Sequence, residues 1–126
     1  MALATELMGA GFSGGQASGV GGQYAALTAA GSSLATATTV TAGNAVIASA
    51  DGTKGVRLNG QAGDTVWLFN NSGSTCPVYP DTSSVAIAVP GTGLGTAGSA
   101  FSLLTYKVAA FKKITSTQWL VIVSDE

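Results

Sequence analysis

Residues 63–80 read GDTVWLFNNSGSTCPVYP. Two apolar runs flank the polar turn Asn70–Ser74, the pattern of a β-hairpin. In the first run Val66 and Leu68 point to one side of an extended chain, and Trp67 and Phe69 point to the other. Both faces of that strand are therefore apolar. WLVIV at 119–123 repeats the pattern, with Trp119, Val121 and Val123 opposed to Leu120 and Ile122. Strands of this kind belong at the centre of a layered structure or beneath a neighbouring subunit. SVAIAV alternates Val85, Ile87 and Val89 with alanines, and KGVRLN alternates Val56 and Leu58 with Arg57 and Asn59, so these two read as half-buried.

Working outward, short segments rich in Thr, Val, Ala and aromatics are cut by Gly, Asn, Asp and Pro from Tyr24 onward. That punctuation predicts strands near 24–29, 34–41, 45–49, 54–59, 64–70, 75–79, 84–89, 101–111 and 117–124. Turns are expected at Ala30–Ser33, Asp51-Gly52, Asn59–Gly63, Asn70–Ser74 and Pro80–Ser83. The stretch PGTGLGTAGS, 90–99, reads as a glycine-rich loop. The fold class is all-β, a compact β-sandwich or jelly-roll-like domain over residues 24–126. Residues 1–23 stand apart as a flexible, glycine-rich N-terminal arm. Glycine at this density denies the arm a stable helix. Leu3, Leu7, Met8 and Phe12 punctuate it as apolar anchors, as expected of a segment that orders against a neighbour.

The composition narrows the function. Of the 126 residues 46% are hydrophobic and only 9% are charged, against about a quarter in an ordinary soluble domain. A surface so poor in charge suggests that much of it meets other protein. The net charge is −1, and the five basic residues are too few to neutralise a row of phosphates, which argues against a nucleic-acid partner. The start MALATELMGAGF lacks the positive beginning of a secretory signal, and no segment approaches the roughly 20 apolar residues of a membrane helix. The expectation is a soluble chain made in a reducing compartment, with no membrane partner.

Candidate chemistry is thin. There is no histidine and one cysteine, Cys76, which removes the Ser–His and Cys–His nucleophile pairs, the common zinc sites and an internal disulfide. Cys76 reads as a small buried hydrophobe. GAGFSG (Gly9–Gly14) and GLGTAG (Gly93–Gly98) match G-x-G-x-x-G, yet neither lies between a strand and a helix, so no dinucleotide site is expected. Asp51, Asp64 and Asp81 all fall at turns, where carboxylates cap backbone amides. No Ca²⁺ ligand series is spaced along them. Asn70-Asn71-Ser72 matches a glycosylation acceptor and reads as a turn. Lys107, Lys112 and Lys113, around Tyr106 and Phe111, read as edge-strand lysines that block unwanted pairing. The chain is expected not to be an enzyme and to need no cofactor and no metal.

Several elements taken together resemble the small decoration proteins of tailed bacteriophages, of the cement or head-fibre-base type. They are LMGAG at Leu7–Gly11, the strand GDTVWLFN at Gly63–Asn70, Val78–Pro80, the small-residue loop Gly91–Ser99 and the late strand STQWLVIV at Ser116–Val123. The resemblance implies an all-β structural virion protein, often a homotrimer, made in the host cytoplasm and placed on the capsid exterior. Its partners would be the major capsid protein and itself, and it would bind the outer surface of the capsid lattice and stabilise the head. Leu3, Leu7, Met8 and Phe12 would be the capsid or oligomer contacts. The resemblance brings no catalytic residues. The alternative is a carbohydrate- or receptor-binding β-module of a head fibre or tail. That reading needs an exposed aromatic platform, for which Tyr24, Tyr79, Tyr106, Trp67 and Trp119 are the candidates. An exposed tryptophan in a shallow groove would favour it, and burial of all five would favour cement.

Overall fold

A computed structural model describes residues 25–124, with the side chain of Leu94 excepted. The expected arm and its anchors Leu3, Leu7, Met8 and Phe12, together with Tyr24, lie outside the described residues. Within them the chain is all-β and forms two sheets. The strands are β1 (Ala25–Thr28), β2 (Thr38–Thr39), β3 (Asn44–Ser49), β4 (Val56–Arg57), β5 (Thr65–Asn70), β6 (Cys76–Tyr79), β7 (Ala86–Val89), β8 (Gly93–Leu94), β9 (Phe101–Leu103), β10 (Val108–Thr115) and β11 (Gln118–Val123).

The seven-stranded sheet has the order β1-β3-β5-β10-β11-β7-β8, and the four-stranded sheet β2-β4-β6-β9. Successive strands from β1 to β6 alternate between the sheets. Within each sheet they pair parallel, β1 with β3 and β3 with β5, β2 with β4 and β4 with β6. The backbone thus winds as a flattened coil. Its last turn is covered in each sheet by an antiparallel strand, β10 on β5 and β9 on β6. Parallel winding departs from the antiparallel connections of a jelly roll.

The pairing corrects the reading of Gly63–Pro80 as a hairpin. β5 pairs with β3 and β10, and β6 pairs with β4 and β9, so the two strands lie in different sheets. Asn70 explains the difference. Its side chain is fully buried; Nδ2 donates to the carbonyls of Ser74 and Leu103 at 2.9 Å each, and Oδ1 accepts from Ser72 N and Ser72 Oγ. These bonds hold the turn as an arch that steps across the core. Thr105 Oγ1 donates to Ser72 O and ties the arch to the β9–β10 connection. Replacing Asn70 with Ala will remove the side-chain donor from the buried carbonyl of Leu103 and leave Ser72 N without its acceptor, while the part-buried carbonyl of Ser74 keeps only Ser72 Oγ as a side-chain donor. The expected loss is about 2–4 kcal/mol, read by urea denaturation.

One core fills the space between the sheets. Ile47, Leu68, Phe111 and Trp119 from the large sheet meet Val56, Leu58, Val78 and Leu103 from the small sheet and its flanks. Phe101 and Phe111 bridge the layers edge to face, with ring centroids 5.9 Å apart. Close stacking of the coil turns depends on Gly55, whose N–H donates to Gly31 O and whose carbonyl accepts from Ala30 and Thr38. A Cβ there would lie 2.6 Å from the carbonyl oxygen of Pro77.

Three further expectations are corrected. The single strand predicted at 101–111 is two strands, because the chain changes sheets between Leu103 and Val108. Tyr106 makes that step at φ 61°. The 90–99 loop contains the short edge strand β8, paired with β7. SVAIAV is buried on both sides over Val85–Ala88 instead of half-buried.

Candidate functional site

The polar groups that could do chemistry are satisfied structurally. Asp51 behaves as a turn carboxylate should. Its Oδ1 accepts from Lys54 N, Thr53 N and Thr53 Oγ1, and these bonds hold its carboxyl down at about 2. Asp64 Oδ2 likewise accepts from Gln61 N at 2.8 Å. Asp81 departs from that expectation and turns inward. Its Oδ2 accepts from Lys113 Nζ at 2.6 Å and its Oδ1 from Trp119 Nε1 at 3.0 Å.

Lys113 also corrects the edge-lysine reading, because β10 is an interior strand between β5 and β11. Its side chain is 8% exposed, and its ammonium also donates to Gly60 O at 3.1 Å. The charge can face inward because Asp81 neutralises it and the carbonyl shares the proton load. Burial works to raise the Asp81 pKa; the hydrogen bonds from Lys113 and Trp119 outweigh it and leave the carboxyl below its ordinary 3.8. Both carboxylate oxygens are thus committed to holding the fold. Cys76 is buried as expected, and desolvation pushes its thiol up to about 11, which makes it a poor nucleophile.

What the described residues leave unpartnered is a surface. Register places Asn44, Trp67, Ala110 and Ile122 side by side across β3, β5, β10 and β11. A second row runs Ala26, Val46, Phe69 and Val108. Their in-strand neighbours Ala45, Leu68, Ala109 and Val121 are buried in the core, so both rows face outward. Trp67 is 50% exposed and Ile122 62%. Around Trp67, Phe69, Val46, Val108 and Asn44 lies a shallow depression of about 210 Å³. The outer side of the small sheet differs. Thr39, Arg57 and Tyr79 stand in register there, with Arg57 donating to Thr39 Oγ1 at 2.6 Å. One outer face is apolar and the other polar.

The sequence pattern located this surface without deciding its two sides. Val66 and Leu68 belong to the core and Trp67 and Phe69 to the outside; Trp119 is fully buried and Ile122 is not. Leu104 and Tyr106, at the tip between β9 and β10, are also exposed, at 55% and 61%. The pattern gave no sign of Leu104 because it falls inside a run read as strand. Comparison with known proteins returns no matching family model, no matching curated protein and no matching solved structure.

Proposed function

We propose that this chain is a structural assembly module, a wound β-sandwich whose large sheet carries a protein-binding outer face. The observation that supports it most is that face. Trp67, Phe69, Val46, Val108, Ala110 and Ile122 form one apolar surface on a rigid sheet. Contiguous exposed apolar area of this kind marks contact with other protein, and tryptophan is the residue most enriched at such hot spots. Together with the sequence resemblance, this reading makes the chain a capsid decoration or cement protein of a tailed phage. It would be a non-enzymatic homotrimer bound to major capsid protein on the outside of the virion.

The exposed Trp67 in its shallow depression also meets the condition set for carbohydrate or receptor binding, so that second reading has an observation in its favour. The lining tells against it. Sugar sites set polar groups around an aromatic platform, whereas the side chains around Trp67 are aliphatic or aromatic apart from Asn44.

The test is to add the purified chain to undecorated phage heads, count bound copies on a gel, and heat the particles. Cement binds in hundreds of copies and raises the temperature at which heads rupture. Trp67→Glu will reduce occupancy at least tenfold while leaving the melting of the free chain within about 1 kcal/mol of the parent. A chain that ignores heads and shifts its tryptophan fluorescence on titration with glycans would establish the second reading instead.

A further inference from the structure

We infer that the apolar face of one copy receives the turn Leu104–Lys107 of the next, whose Tyr106 ring enters the depression around Trp67. The inference rests on the assembly reading above and names what covers that face, a second copy of this chain. It starts from a strained residue. Tyr106, at φ 61°, is the only non-glycine at positive φ among the described residues. A tyrosine seldom adopts that region, and strain of this kind collects where function demands it. Glycine takes the same region in other turns of the chain, at Gly52 and Gly63 among them.

The strained turn holds an apolar knob in place. Tyr106 N donates to Asn70 O at 2.7 Å, Asn70 N donates to Lys107 O at 3.0 Å, and Thr105 Oγ1 donates to Ser72 O. The turn is thus fixed to the Asn70 arch, while Leu104 and Tyr106 both stand exposed. Tyr106 does not fill the depression of its own chain, although Val108, two residues on, lines it.

Knob and depression match. The depression holds about 210 Å³, and a cavity of about 150 Å³ already accepts a benzene ring. Val46, Trp67, Phe69 and Val108 wall it, and Asn44 is the one polar side chain among its lining residues. Among the described residues neither the Asn44 amide nor the Tyr106 hydroxyl has a hydrogen-bond partner. A phenol that enters an apolar site needs such a partner, and the amide oxygen can accept from its O–H. The contact is also of the kind a three-fold ring requires, since there each copy meets the next through two different patches. Face against face would instead join copies two at a time. Turn and depression adjoin at Val108, so one copy can offer the first to one neighbour and the second to the other.

The experiment uses the full chain. Trp119 is fully buried, so acrylamide quenching of tryptophan fluorescence reports on Trp67. Quenching is followed from nanomolar to high micromolar chain alongside sedimentation velocity. In the parent, Trp67 is expected to become several-fold harder to quench over the concentration range in which the oligomer forms. Tyr106→Gly suits the backbone at that position, so the dissociated chain should melt at or above the parent temperature while assembly weakens at least tenfold. Tyr106→Phe and Asn44→Ala should each weaken assembly several-fold, and the double variant no further than either, because they remove the two ends of one hydrogen bond. Tyr106→Gly chains mixed with Trp67→Glu chains should form a one-to-one complex that neither forms alone, since the first keep an intact depression and the second an intact turn. A Tyr106→Gly oligomer as tight as the parent's, with Trp67 equally protected, would overturn the inference and leave the assembly reading intact. Additive losses for Tyr106→Phe and Asn44→Ala, or no complex in the mixture at high micromolar concentration, would overturn it as well. A parent that stays monomeric at every concentration would overturn both.

Discussion

Trp119→Ala is expected to destabilise the domain by about 3–5 kcal/mol, the usual cost of emptying a fully buried aromatic site. Trp119 is 0% exposed and packs within the core shared by both sheets. Its neighbours in register, Lys113 on β10 and Ile87 on β7, belong to flanking strands and cannot slide into the space. The indole N–H also leaves Asp81 Oδ1 without its donor. At roughly 4–8 °C per kcal/mol for a domain of this size, the melting temperature should fall by more than about 12 °C. Trp67→Ala serves as the control. With half of its surface already in solvent, it should cost about 1 kcal/mol or less in the isolated chain. Equal losses for the two variants in a thermal melt would contradict the assignment of Trp119 to the core and Trp67 to the outer face.

Asp81→Ala should cost a similar amount, about 3–5 kcal/mol, for a different reason. The Lys113 ammonium would remain buried with Gly60 O and the face of the Trp119 ring, but no counter-charge, and the loss of one partner of a buried pair leaves the other uncompensated. Adding Lys113→Met should recover part of the loss, because no unpaired charge then remains. The pair also makes stability depend on pH. Asp81 has its pKa depressed in the folded state, so the folded state binds its proton less readily than the unfolded chain does. The stabilisation is complete above the unfolded carboxylate value near 3.9 and is lost as pH falls through the lower folded value. Denaturation midpoints of the parent should therefore drop steeply below about pH 4. In Asp81→Ala that part of the acid dependence should be missing.

The all-β class and most of the strands were legible because each strand is short, rich in β-branched or aromatic residues, and bounded by Gly, Asn or Asp. Thr65–Asn70 and Gln118–Val123 fall almost where the pattern of apolar faces puts them. Sheet membership was not legible. Local periodicity says which residues share a face and nothing about which strand lies alongside, so the arch at Asn70–Ser74 looked like a hairpin. The same turn residues serve both geometries, and only the bonds from Asn70 to Ser74 and Leu103 distinguish them. Lys113 was misread because charge was taken to mean the outside; its partner Asp81 is remote in sequence and no spacing rule connects them. The apolar outer face was half legible: the alternation in VWLF and WLVIV announced two apolar faces, and burial then assigned one to the core and left Trp67 and Ile122 outside.

The central claim is that this outer face is made to be covered by protein. Sedimentation velocity on the full chain at micromolar concentration, set beside Trp67→Glu/Ile122→Glu, tests it most directly. The claim predicts an oligomer, a trimer, for the parent and a folded monomer for the double variant, with matching circular dichroism and with matching melting at concentrations low enough to dissociate the parent. A parent that sediments as a monomer, or a double variant that assembles as the parent does, would contradict it.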